Sequence, residues 1–82
     1  MGQRPLARPP KRISGRELVR ALERFGWQVE RVKGSHHIMR HPEKHAITLS
    51  VPVHANRTLP VGTQLGILKD AGISAEEFNE QA

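Results

Sequence analysis

Leu18, Ala21, Leu22 and Phe25 recur at i, i+3, i+4 and i+7, which places one apolar stripe along a helix. Ser14 and Glu17 precede it at capping-box spacing, and Ile13 and Leu18 are placed for a hydrophobic staple across that start. Gly26 is positioned to stop the helix. Arg16, Arg20 and Arg24 form a second stripe, spaced by fours, which reads as a solvated face. From Trp27 onward the period shortens. Trp27-Gln28-Val29 alternates and Val32 falls out of phase, which points to a bulge or a strong twist near Arg31. Lys33-Gly34-Ser35 reads as a tight turn, His36 to His41 as a second strand, and Pro42-Glu43-Lys44 as its end. Ala46 to Val51 alternates, with Ile47, Leu49 and Val51 on one face and Thr48 and Ser50 on the other. Connections this short favour an antiparallel meander. A polar loop from Pro52 to Thr58 leads to a second helix over roughly residues 60–71, with Val61, Leu65 and Leu68 as its expected buried side. Gly66 inside it costs ~1 kcal/mol relative to Ala unless close packing requires it. Ile73-Ser74-Ala75-Glu76-Glu77-Phe78 repeats the staple and capping box, so a short third helix follows. The pattern predicts an α+β domain in α-β-β-β-α order: a three-stranded antiparallel sheet with two helices on one face and a C-terminal helical turn.

Length limits this to one core, because 82 residues cannot fill two. Residues 1–12 contain Pro5, Pro9, Pro10 and four basic side chains without helical or alternating periodicity, and are expected to be a flexible basic tail ahead of a single domain over residues 13–82. The chain carries a formal net charge of +5, and its acids concentrate at the C-terminus as Glu76, Glu77 and Glu80. A basic body fits a polyanion such as nucleic acid, or an acidic protein. With no cysteine, disulfide staples, thiol nucleophiles and Cys-ligated zinc are excluded. No apolar run exceeds two residues, so neither a membrane span nor a signal-peptide core is expected, and a cytoplasmic location is the default.

Candidate chemistry concentrates in the histidines His36, His37, His41, His45 and His54. Strand geometry divides them: His36 shares a face with Ile38 and Arg40, and His37 with Met39 and His41. Three readings are open. One histidine could act as general acid or base on an RNA phosphodiester, with Lys33, Arg31 or Arg40 holding the phosphate and the Gly34-Ser35 turn allowing a close backbone approach. That chemistry needs no metal or cofactor. Alternatively His37, His41 and His45 could bind a metal, although no helical i, i+4 pair and no thiolate supports it. Or the histidines are ordinary strand and loop residues. Trp27, a lone aromatic at a strand start, reads as core.

Several stretches, in order, resemble one family. They are Glu17-Leu18-Val19-Arg20-Ala21-Leu22-Glu23, Phe25-Gly26-Trp27, Arg31-Val32-Lys33-Gly34-Ser35-His36-His37, Arg40-His41-Pro42, Val51-Pro52-Val53-His54, Leu59, Gly62-Thr63 and Ile67-Leu68-Lys69-Asp70-Ala71-Gly72-Ile73. Together they look like the HicA toxins of toxin–antitoxin pairs, over residues 13–78. The resemblance implies a double-stranded-RNA-binding-domain-like fold. It also implies an mRNA interferase, an endoribonuclease that cleaves transcripts and blocks translation, neutralised by a HicB-type antitoxin. By resemblance the catalytic histidine, which directly follows the Gly-Ser pair, is His36. Lys33, Gly34, Ser35, Arg31, Arg40 and Arg57 are then the expected RNA contacts, and His54 matches a recurrent family histidine without an assigned role. A non-catalytic RNA-binding module on the same fold is the alternative. The basic, Pro-rich start departs from the family pattern.

Overall fold

The computed structural model describes residues 8–81. Its elements are α1 (Gly15–Arg24), β1 (Gln28–Lys33), β2 (His36–Arg40), β3 (Thr48–Pro52), α2 (Val61–Ala71) and α3 (Ala75–Gln81). The strands form one antiparallel sheet in the order β1-β2-β3. This α-β-β-β-α-α arrangement is the α+β order that the periodicity predicts, and it is consistent with the double-stranded-RNA-binding-domain-like fold that the resemblance implies.

The predicted caps are formed. The Ser14 hydroxyl accepts from the Glu17 N–H at 3.2 Å while the Glu17 carboxylate accepts from the Ser14 N–H at 3.0 Å. Ser74 and Glu77 repeat the device ahead of α3, at 3.0 and 2.9 Å. The helix start at Gly15 packs against the end of β3 so closely that a Cβ there would run into the Pro52 carbonyl; only glycine lets α1 cross at this point.

Phase determines which sheet face is covered. Met39, Leu49 and Val51 point toward the helices and are buried among Leu18 and Leu22 of α1, Ile67 and Leu68 of α2, and Phe78 of α3; Trp27 closes the same core. The register between β1 and β2 shifts between Val29 and Arg31, so of the bulge or twist expected from the misplaced Val32 the structure has a bulge. Because of it, Val29 and Val32 both lie on the helix side, opposite Met39 and His37, while Arg31 and Lys33 lie on the open side opposite Ile38 and His36.

The buried face of α2 differs from the expected one. Gln64, Ile67, Leu68 and Ala71 are buried, whereas Val61 and Leu65 are 51% and 46% exposed. The reason is the partner set of Gln64: its side-chain N–H donates to the Lys11 carbonyl at 2.7 Å and its side-chain oxygen accepts from the Ile13 N–H at 3.4 Å. A buried amide with both ends bonded competes with leucine for the inward position, and here it rotates the helix by one residue. Nothing packs within 4 Å of the position a Cβ would take at Gly66.

Of the expected N-terminal tail, residues 1–7 lie outside the described residues. In the remainder, the Lys11 N–H donates to the Asn79 side chain at 2.8 Å, the Asn79 amide donates to the Pro9 carbonyl at 3.0 Å, and the Arg12 guanidinium donates to the Leu59 carbonyl. Ile13 and Ser14 continue the contact, with the Leu59 N–H donating to the Ile13 carbonyl and Ser14 bridging Thr58. These bonds fix the loop between β3 and α2.

Candidate functional site

The turn Gly34-Ser35 joins β1 to β2 with only two residues, and Gly34 has φ +59°. A positive φ at the first turn position and an ordinary one at the second is the hairpin geometry that matches strand twist, and glycine takes it without strain. The Ser35 carbonyl accepts from the Val53 N–H at 2.7 Å, tying the turn to the segment leaving β3. His36, the first residue after the turn, is therefore held by strands on both sides: Lys33 lies across from it in β1 and Pro52 in β3.

The open face of the sheet carries Arg31, Lys33, His36, Ile38 and Arg40. His36 is exposed, as are Arg31 and Lys33. Directly paired residues bring Cβ atoms to ~5 Å, so the Lys33 ammonium and the His36 ring can reach one phosphodiester together. Arg31 stands one same-face position further along β1. Arg40 is placed elsewhere. It lies four residues from His36 along β2, ~13 Å away at strand rise. Its guanidinium donates to the His45 carbonyl at 3.1 Å and pairs with Glu30 at 3.4 Å. Arg57 lines a shallow cleft with Pro52, His54, Thr58, Leu59, Pro60 and Thr63, beside the start of α2. Pro52 is also the cross-strand neighbour of His36, so the cleft adjoins the hairpin end of the open face. The structure thus brings Lys33, Gly34, Ser35, His36 and Arg31 together, sets Arg57 and His54 on the neighbouring cleft, and separates Arg40.

The remaining histidines occupy other environments. His41 is tied at both nitrogens: Nδ1 accepts from the Glu43 N–H at 3.0 Å, which leaves the proton on Nε2, 3.0 Å from the Phe25 carbonyl. The ring also meets Trp27 edge-on, with centroids 5.2 Å apart. With both ring nitrogens engaged by the backbone, this side chain is committed to the fold and has no free nitrogen to offer a metal. Among the described residues no three His, Cys, Asp or Glu side chains converge as a metal site. His37 points to the helix side, and its Nδ1 is buried without a hydrogen-bond partner among the described residues, a situation worth ~1–3 kcal/mol against the folded chain. The ring lines a groove with Arg16, Val19, Arg20, Glu23, Val29, Val32 and Val53.

Sequence reasoning passed over two neighbourhoods. The stripe Arg16–Arg20 reads as solvated until α1 is laid beside Val32 and His37. The proximity of the Arg57 loop to His36 depends on the Pro52 pairing and the Gln64 anchor, both long-range. The bulge signal at Val32 was the only local hint of the first.

The family model described as the HicA toxin of bacterial toxin-antitoxin matches residues 15–73. The chain belongs to this family. It is accordingly the toxin of a toxin–antitoxin pair, and a cognate antitoxin is its implied partner. The matched segment runs from the first residue of α1 through Ile73 and contains the sheet, the Gly34-Ser35 turn and every histidine. No curated protein matches the chain. HicA toxins are generally ribonucleases, which fits a basic open sheet face. No helix among the described residues is long and apolar enough to cross a membrane.

Proposed function

We propose that this HicA-family toxin is an mRNA interferase that cleaves RNA without a metal, with His36 as general acid–base. The supporting observation is the placement of His36: exposed, on the uncovered sheet face, beside a glycine turn and directly across from Lys33. The imidazole takes the proton of a ribose 2′-hydroxyl, and the 2′-oxygen attacks phosphorus. The P–O5′ bond breaks and the 5′-oxygen receives the proton back from the His36 imidazolium, directly or through water, giving a 2′,3′-cyclic phosphate end and a 5′-hydroxyl end. Lys33 and Arg31 hold the phosphate and oppose the charge that builds on its free oxygens. Gly34 and Ser35 let the RNA backbone approach the turn. Arg57 contacts the strand as it leaves along the adjoining cleft, and Arg40 contributes only distally.

The test is His36→Ala incubated with a long RNA, with chelator present throughout. General acid–base catalysis contributes ~10²–10⁴-fold, so cleavage slows by that factor while RNA binding is retained. Undiminished cleavage by a folded His36→Ala protein overturns the assignment. Wild-type cleavage that stops on adding chelator identifies metal chemistry instead. RNA binding by the wild type without any product identifies a non-catalytic binding module.

A further inference from the structure

The groove between α1 and the hairpin end of the sheet has no part in the open-face chemistry. Val32 faces the helix side, opposite His37, where side chains are normally covered, yet it is 57% exposed. The helices leave this corner of the face bare. Val29, Val53 and Val19 continue the apolar floor, and the His37 ring closes its end with a buried nitrogen that none of the described residues satisfies. Arg16, Arg20 and Glu23, at i, i+4 and i+7 on α1, form the rim. Arg16 and Arg20 are exposed, and neither is in an ion pair among the described residues.

An apolar trough with two arginines on one lip recognises an apolar side chain flanked by carboxylates. Two features favour protein over RNA here. The floor is formed by valines, and the His37 ring at its end is partly buried, so a base finds no fully exposed ring to stack on. Glu23 continues the arginine row and would repel a phosphate backbone running along it. We propose that this groove is a docking site for the antitoxin, which inserts an apolar side chain over Val32 and places carboxylates against Arg16 and Arg20. His36 lies on the opposite face of β2, so the antitoxin can grip the toxin here independently of any cover over the open face. The inference rests on the toxin–antitoxin reading of the chain but not on its nuclease chemistry.

The experiment uses the full chain and the antitoxin protein encoded beside its gene, with affinity measured by titration calorimetry. Val32→Asp places a carboxylate where the apolar anchor sits, and Arg16→Glu with Arg20→Glu reverses the rim. Both sets of positions are exposed, and thermal melts verify that the variants fold. Each is expected to weaken antitoxin binding at least tenfold, while RNA cleavage by the free toxin stays within twofold of wild type. Unchanged antitoxin affinity in both variants overturns the proposal, as does failure of that antitoxin to bind the wild type. A loss of affinity for a labelled oligoribonucleotide in the arginine variant, with antitoxin binding intact, assigns the groove to RNA and also overturns it. A wild-type chain that binds antitoxin through Val32 yet cleaves no RNA leaves the docking site standing and removes the nuclease reading.

Discussion

His36 and His41 bracket β2 and illustrate how environment divides one residue type into two roles. His36 follows the turn and stands exposed on the open face. His41 has a backbone partner at each nitrogen and Trp27 against its ring. It fastens the end of β2 to the C-terminal end of α1, a contact between residues distant in sequence. Replacing it should therefore affect stability, not chemistry. His41→Phe retains a ring against Trp27 but leaves the Phe25 carbonyl and Glu43 N–H without their partner, a cost of roughly 1–3 kcal/mol. His41→Ala adds the loss of ring packing and costs more. His36→Ala, by contrast, should lie within about 0.5 kcal/mol of wild type, as exposed substitutions do. Urea unfolding followed by Trp27 fluorescence checks all three; equal destabilisation by His36→Ala and His41→Ala would show that the two rings have been given the wrong roles. The sequence could place these histidines on opposite faces of one strand, because that needs only the two-residue period. It could not show that His41 is bonded at both nitrogens, because its partners come from the α1 C-terminus and the following turn.

Among the elements, the helix starts were the most legible feature, since a capping box is local: Ser and Glu three apart, an apolar residue on each side. Both boxes form, and they have a consequence for acid stability. The Ser14 backbone N–H, and then its side chain, hold the Glu17 carboxyl below the usual carboxylate range; Ser74 does the same to Glu77. A carboxylate with a lowered folded pKa contributes stability that is fully present above its unfolded value, ~4.3, and is lost as pH falls through the folded one. The contribution of these two carboxylates should thus be constant from neutrality to about pH 5 and decline below it. Glu17→Gln and Glu77→Gln should each make that decline shallower by removing a titrating carboxyl, whereas Ser14→Ala and Ser74→Ala should alter it less, because alanine keeps the backbone N–H that is the larger cause. At pH 7 Ser14→Ala should be the more destabilising, by about 1 kcal/mol or more, because Ser14 is buried and bridges Thr58, whereas Ser74 is exposed. Chemical denaturation at several pH values reads both effects; a pH dependence unaltered in both glutamine variants would mean that the boxes do not govern it. The face of α2 was less legible for a physical reason. Val61, Leu65 and Leu68 make a plausible stripe, and only the Lys11 and Ile13 backbone groups, fifty residues upstream, explain why Gln64 displaces it.

At the scale of the whole molecule, the positive charge divides among three regions with different tasks, and salt dependence can separate them. A strand of RNA bound across the hairpin end displaces counterions in proportion to the phosphates neutralised, with a slope of ~0.7 per contact for single strands. Arg31 and Lys33 stand exposed beside His36, so each alanine substitution should flatten the plot of log affinity against log salt by about 0.7. Arg40 has the same charge and the same sheet face, yet its guanidinium is engaged by Glu30 and the His45 carbonyl, ~13 Å along the strand. Arg40→Ala should change the slope by much less than either. Arg16 and Arg20, on α1 beside the helix-side groove, should change it least of all. The measurement is fluorescence anisotropy of a labelled oligoribonucleotide with the His36→Ala protein, which binds without consuming the probe. If Arg40→Ala or Arg20→Ala flattens the slope as much as Lys33→Ala, the RNA runs along the whole basic surface and the division fails. Net charge alone predicts that uniform result, because all these residues count equally in the +5. The graded result follows only from their placement: the bulge that aims Arg31 and Lys33 outward, the ion pair that occupies Arg40, and the helix that carries Arg16 and Arg20 to the other side of the sheet.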